Sequence, residues 1–232
     1  AIATAMGESA IGVIRVSIEV GDAVLDRMSS ALEALTRGAQ AILDRPLTGR
    51  ERDLFIKYLK LLIKWQKSQR LIGSAEPGWI IENLFLDSLL FLRVLPARLG
   101  SLLDLGSGAG LPGIPIKVVR PEIQLVLLES RQRRVSFLSS AVRELALERA
   151  SVVSGRAEEF PEELAERFDA VVMRCAGDIE KLFPLAARFV MPGGLVVASG
   201  PPRQRPLSLG EWVTVAAGGG GKTRRFAVYH RT

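Results

Sequence analysis

The sequence predicts an α/β protein built on a mostly parallel, doubly wound sheet. Three observations carry that expectation. From Ser101 onward, short apolar runs alternate with stretches of 3.6-residue apolar periodicity. A glycine-rich turn, Gly106 to Gly113, joins the first of those runs to a helix. Pro192-Gly193-Gly194 closes a later helix before another apolar run.

Taken in order, residues 1–45 carry no chemical motif. A short strand is expected at 11–17 and an amphipathic helix at 22–43. Arg45-Pro46-Leu47-Thr48-Gly49 is a break, with Thr48 placed as an N-cap and Glu51 at the capping-box position. Residues 50–70 form the clearest helix, since Leu54, Tyr58, Leu61, Leu62 and Trp65 make an apolar stripe. Lys57, Lys60, Lys64 and Lys67 line one polar face of it. Eight basic residues against three acidic ones lie between Arg45 and Ile80. Such a stripe is either a solvated face or a surface that tracks phosphates. A second helix is expected over 79–95, stopping before Pro96.

Strands follow at 102–105, 124–128, 151–153, 168–173 and 195–198, with helices at 132–147 and 179–190. Val135, Leu138, Val142, Leu145 and Ala146 share one face of the first of these helices. Residues 212–216 and 226–229 read as a closing antiparallel pair around the loop Gly218 to Gly221. That loop runs through Gly221-Lys222-Thr223 into a strand rather than a helix, so it is not an ATP-binding loop. By texture the chain divides into 1–45, a basic helical part at 46–96 and an α/β part at 97–232.

Composition narrows the class. Of 232 residues, 48% are hydrophobic and 24% charged, which excludes a disordered chain. One cysteine, Cys175, excludes a disulfide framework and a cysteine-based zinc site and fits a reducing compartment; no metal is expected. Cys175 itself reads as a buried small residue. No apolar stretch is long enough to span a membrane, and no secretory signal is visible. The first residue is Ala1 rather than Met, so a processed, trimmed or partial chain is expected. The net charge of +6 points to an anionic partner, nucleic acid before membrane.

The candidate chemistry gathers at Leu103-Asp104-Leu105-Gly106-Ser107-Gly108-Ala109-Gly110-Leu111-Pro112-Gly113. Glycines let a backbone approach a ligand closely, and the helix that follows offers free N–H groups. Counted from Gly106, the first glycine after the strand, a dinucleotide fingerprint would need glycine at position 111, which is leucine. Asp104 precedes the first glycine by two residues, where a carboxylate could meet the cationic end of a ligand. Glu129 ends the next strand, where an acid can accept hydrogen bonds from both ribose hydroxyls. Two carboxylates around a nucleoside suit a sulfonium and an ammonium, and suit a pyrophosphate poorly.

The stretch from Leu103 to Pro121, with Gly110-Leu111-Pro112-Gly113-Ile114-Pro115-Ile116, resembles the bacterial 16S rRNA guanine-N7 methyltransferase family, the glucose-inhibited division protein B family. Leu86-Asp87-Ser88, Leu128-Glu129-Ser130, Arg133-Arg134-Val135-Ser136-Phe137-Leu138, Arg156-Ala157-Glu158-Glu159-Phe160 and Arg174-Cys175-Ala176 match in the same order. The resemblance implies a Rossmann-like class I S-adenosylmethionine-dependent methyltransferase with a seven-stranded sheet and an N-terminal helical part. It implies that Gly106 and Leu111 line the methyl donor, that Glu129 holds its ribose, and that Ala157 and Glu158 flank its adenine. Asp104, Gly108 and Gly110 belong to the same donor turn. Arg174 would lie beside both donor and RNA.

The implied substrate is 16S rRNA or a small-subunit precursor, met by a cytoplasmic monomer through Lys57, Lys60, Lys64, Lys67, Asp87, Arg131, Arg133, Arg134 and Arg174. Guanine N7 is already nucleophilic, so no general base is expected, and His230 reads as a surface residue; Asp87 is the candidate for steadying the positive charge that develops. The chain departs from the family pattern at Asn83-Leu84, at Arg70-Leu71-Ile72 and at Ser199-Gly200. Those departures keep open a donor-binding homologue with a lost or altered substrate, and a small-molecule methyltransferase. Residues 1–17 separately resemble the opening strand of the tRNA-modification GTPase family, without a GTPase motif after it.

Overall fold

The computed structural model describes residues 26–159, 165–174, 179–199, 206–216 and 223–232. The expectations for a strand at 11–17, for the 218–221 loop and for Cys175 lie outside these residues. Helix α1 covers residues 26–43. Helix α2, Gly49–Gln69, starts where the sequence signal placed it. Thr48 Oγ1 accepts the Glu51 N–H at 3.2 Å, and the Glu51 carboxylate accepts the Thr48 N–H at 2.7 Å. Arg45 locks the same carboxylate at 2.6 Å.

The helix expected over 79–95 is a run of four pieces. Glu76 caps α3 (Pro77–Ile80), a π-helical turn occupies Ile81–Leu86, α4 is Asp87–Leu89, and a 3-10 turn ends at Arg93. The π turn widens the helix where the Arg174 guanidinium donates to the Asn83 carbonyl at 2.6 Å.

The strands are β1 (Ser101–Leu105), β2 (Gln124–Glu129), β3 (Ala150–Ser154), β4 (Phe168–Arg174), β5 (Val190–Ser199), β6 (Glu211–Ala216) and β7 (Thr223–His230). They form one sheet in the order β3-β2-β1-β4-β5-β7-β6. The first five are parallel, and β7 is inserted antiparallel between β5 and β6. The helices between them are α5 (Gly113–Val119), α6 (Gln132–Glu144) and α7 (Ile179–Ala187).

Helix α7 stops three residues before the expected end. Val190 already pairs with Phe168, and Gly193 and Gly194 exchange backbone hydrogen bonds with Arg231. Pro192-Gly193-Gly194 is therefore a bulge inside β5, not a separator ahead of it.

Strand alternation splits the core into two layers. Leu102, Leu125 and Leu127 join the cluster that holds Phe55 and Leu59 of α2, Ile114 of α5 and Phe137 of α6. Leu103, Leu105, Val126 and Leu128 face the other way, onto Phe183 and Ala186 of α7. The N-terminal helices thus share a core with the sheet. No described helix is long and apolar enough to cross a membrane.

Candidate functional site

Strand order reverses at β1, which lies between β2 and β4. In open α/β sheets a crevice forms beyond the strand ends at such a switch point. A cleft of about 690 Å³ opens there, lined by Gly106, Gly108, Glu129 and Arg174 among others.

The floor is the turn after β1. Gly106 and Gly108 have φ of 74° and 60°, so their backbone, without side chains, forms the wall. Glu129 closes β2 and is only 5% exposed. Its Oε2 accepts the Gly108 N–H at 2.9 Å and its Oε1 the Arg131 N–H at 2.8 Å. Arg134 stands 3.6 Å from Oε2. A carboxylate has about four lone-pair sites, so acceptor capacity remains toward the cleft. Ala157 and Glu158, in the 3-10 turn Ala157–Glu159 after β3, line the same cleft, as do Leu111, Arg131 and Arg134.

Asp104 is placed differently from the sequence expectation. It is fully buried and is not part of the cleft lining. Alternation along β1 puts it on the face of Leu102, under α5. There Oδ2 accepts the Gly113 N–H at 2.8 Å, while Oδ1 has no partner. Burial raises its pKa to about 7, against the opposing pull of the Gly113 N–H and the Arg174 charge. Asp104 therefore braces the glycine turn from behind. Gly110 is also behind the wall, where a side chain would run into Ile114 and Tyr58. Tyr58 itself, stacked on Phe85 at 5.1 Å, donates its hydroxyl to the Ala109 carbonyl. Helix α2 thus holds the turn through Tyr58, a link with no local sequence signal.

Asp87 is also outside the cleft lining. Its Oδ2 lies 3.1 Å from Arg174 Nε and its Oδ1 2.7 Å from Arg224 Nε. Its carboxylate holds two arginines. Arg174 does line the cleft, with a side chain 12% exposed. Lys57, Lys60, Lys64, Lys67 and Arg133 are all exposed and lie away from the cleft wall. Of the departures from the family pattern, Ile72 and Leu84 line the cleft, whereas Ser199 is buried with an unpartnered hydroxyl. Arg156, Ser130 and Gly73, which were given no role from the sequence, also line the cleft. Arg156 sits directly before the Ala157-Glu158 pair, a position that could have flagged it. Among the described residues no cluster of His, Cys, Asp and Glu could hold a metal ion. His230 is exposed on β7.

The family model for rRNA small subunit methyltransferase G matches residues 51–200. The chain belongs to that family. The Desulfotalea psychrophila ribosomal RNA small subunit methyltransferase G is 43% identical over 166 residues, 68% of this chain and 73% of its own length. The protein of the same name from Oenococcus oeni is 38% identical over 156 residues. That match spans 66% of this chain and 64% of the Oenococcus protein. Among solved structures, M. jannaschii TYW2 in complex with AdoMet aligns with a TM-score of 0.51 at 12% identity, over 64% of this chain and 75% of that one. That likeness shows a shared Rossmann-like fold. The family match covers most of the basic helix α2, the glycine turn after β1 and strands β1 to β5.

Proposed function

We propose that this chain transfers a methyl group from S-adenosylmethionine to N7 of a guanine in small-subunit rRNA, in the cytoplasm. The observation that carries the reading is the cleft at the switch point, walled by bare glycine backbone and by Glu129. The residues fit the donor. Glu129 offers acceptors for two ribose hydroxyls, and Leu111, Leu128 and Ala157 offer apolar surface for a purine. A pyrophosphate is a poor fit, because the Gly113 N–H at the start of α5 is already taken by Asp104.

The bound donor would supply a methyl group on a sulfonium, electrophilic enough to need no further activation. N7 of guanine carries an in-plane lone pair, so the chain needs no general base. Its work is orientation and exclusion of water. Glu129 and the Gly106–Gly108 backbone orient the donor end. Arg174, gripped by Asp87 and the Asn83 carbonyl, presents a fixed guanidinium to the acceptor end. Pairing with Asp87 also tempers the Arg174 charge, which would otherwise oppose the positive charge forming on the purine. N7 in an A-form helix lies in a deep, narrow groove, so an unpaired guanine is the expected target.

Labelled methyl transfer to naked 16S rRNA, to assembled small subunits and to small metabolites tests this reading. Recovery of 7-methylguanosine from the RNA supports it; donor binding without transfer to either RNA form rejects it. That negative outcome would favour a donor-binding homologue with an altered substrate. Ile72 and Leu84 are the specific observation behind that second reading, since they make part of the cleft wall apolar.

A further inference from the structure

Trp79 is the one large apolar side chain left exposed among the described residues, at 36%. A single exposed side chain of this kind is unremarkable by itself. Its position is informative. The indole lies on Gly73, so that a Cβ there would come within 3.2 Å of the ring. Gly73 forms part of the cleft wall, next to Ile72. The ring therefore packs against a residue of the cleft wall without itself being part of the lining.

Its backbone is held from both directions. Glu76 caps α3 by accepting the Gly78 and Trp79 N–H groups. One turn later Asn83 donates its side-chain amide to the Trp79 carbonyl at 3.0 Å, and its own carbonyl accepts from Arg174. The indole is thus placed by the same turn that grips the cleft arginine. The cleft beside it carries cationic side chains. Arg131 and Arg156 line the cleft, are exposed, and make no ion pair among the described residues. An exposed aromatic ring beside an arginine-lined cleft is matched chemically by a nucleobase on a phosphate chain.

We infer that Trp79 is a stacking platform for an unpaired base of the RNA substrate, next to the guanine that enters the cleft. This rests on the proposed rRNA reaction. Base–aromatic stacking is lost on truncation at a cost that corresponds to about tenfold or more in affinity.

The test compares the wild-type protein with W79A and W79F, on whichever of naked 16S rRNA or small subunits supports turnover. W79A is expected to raise KM for RNA about tenfold or more, with kcat at saturating RNA and affinity for S-adenosylhomocysteine held within about twofold. W79F, which keeps a π face, is expected to restore most of KM. RNA is expected to quench the tryptophan emission of the wild type, and W79F is expected to lose most of that quenching although two tryptophans remain, Trp65 and Trp212. An unchanged KM in W79A overturns the inference. So does a loss of S-adenosylhomocysteine affinity equal to the loss for RNA, which would make Trp79 a wall of the donor site. Wild-type protein that methylates no RNA sinks the proposed reaction instead, and that result is read before either variant is made.

Discussion

Replacing Glu129 by Gln keeps the length of the side chain and removes its charge. The carboxylate holds the Gly108 and Arg131 N–H groups and faces the cleft, and charge-assisted hydrogen bonds of this kind contribute about 1.5–3 kcal/mol each. Glu129→Gln should therefore weaken S-adenosylhomocysteine binding about tenfold or more, measured by calorimetry; unchanged affinity would remove Glu129 from the donor site. Asp104 makes a different prediction. An aspartate ionises near 3.8 when free, and burial holds the proton on Asp104 to about pH 7. The folded state then binds one more proton than the unfolded state between those values. Stability from this group is full below about pH 4 and falls on the order of 4 kcal/mol as pH rises to about 7. Asp104→Asn should flatten that part of the stability–pH curve in urea unfolding, and an unaltered slope would show that Asp104 ionises freely in the fold. Glu129 was legible in the sequence because a strand end followed by an acid is a local pattern. The burial of Asp104 was not, because alternation tells which face a side chain takes and not what covers that face.

At the scale of elements, the start of α2 was readable from Thr48 and Glu51 alone, since a capping box closes within four residues. The π turn in the following helix was not readable. Its occupant, Arg174, lies 91 residues further along the chain. Short elements joined in this way depend on long-range grips, and Asp87 is the main one. It bridges α4 to β4 and β7 through Arg174 and Arg224. Asp87→Asn should lower kcat about tenfold or more by letting Arg174 drift, while S-adenosylhomocysteine affinity stays within about twofold. A fall in melting temperature with kcat intact would show that the bridge serves stability alone. The same contact explains why Asp87 was read from sequence as facing substrate: an acid near the cleft invites that role, and two arginines from distant strands take it up first.

For the whole molecule, charge and shape divide the work of binding. The four lysines of α2 stand exposed on a helix that braces the donor turn from behind through Tyr58. If they contact phosphates, replacing all four by Gln should reduce the slope of log K against log salt by about three. Filter binding of 16S rRNA across a salt series measures this, and a slope equal to that of the wild type would leave the lysines as a solvated face. The order of elements, the sheet class, the glycine turn and the acid at the end of β2 were determined by the sequence itself. Each is written in periodicities and spacings that act over a few residues, where backbone geometry leaves few choices. The tertiary structure alone decided that Asp104 braces the turn instead of lining it, that Asp87 is spent on two arginines, and that the Trp79 ring meets the cleft wall at Gly73. Those outcomes depend on side chains brought together across as many as 137 residues, and a buried charge takes whichever partner the packing delivers.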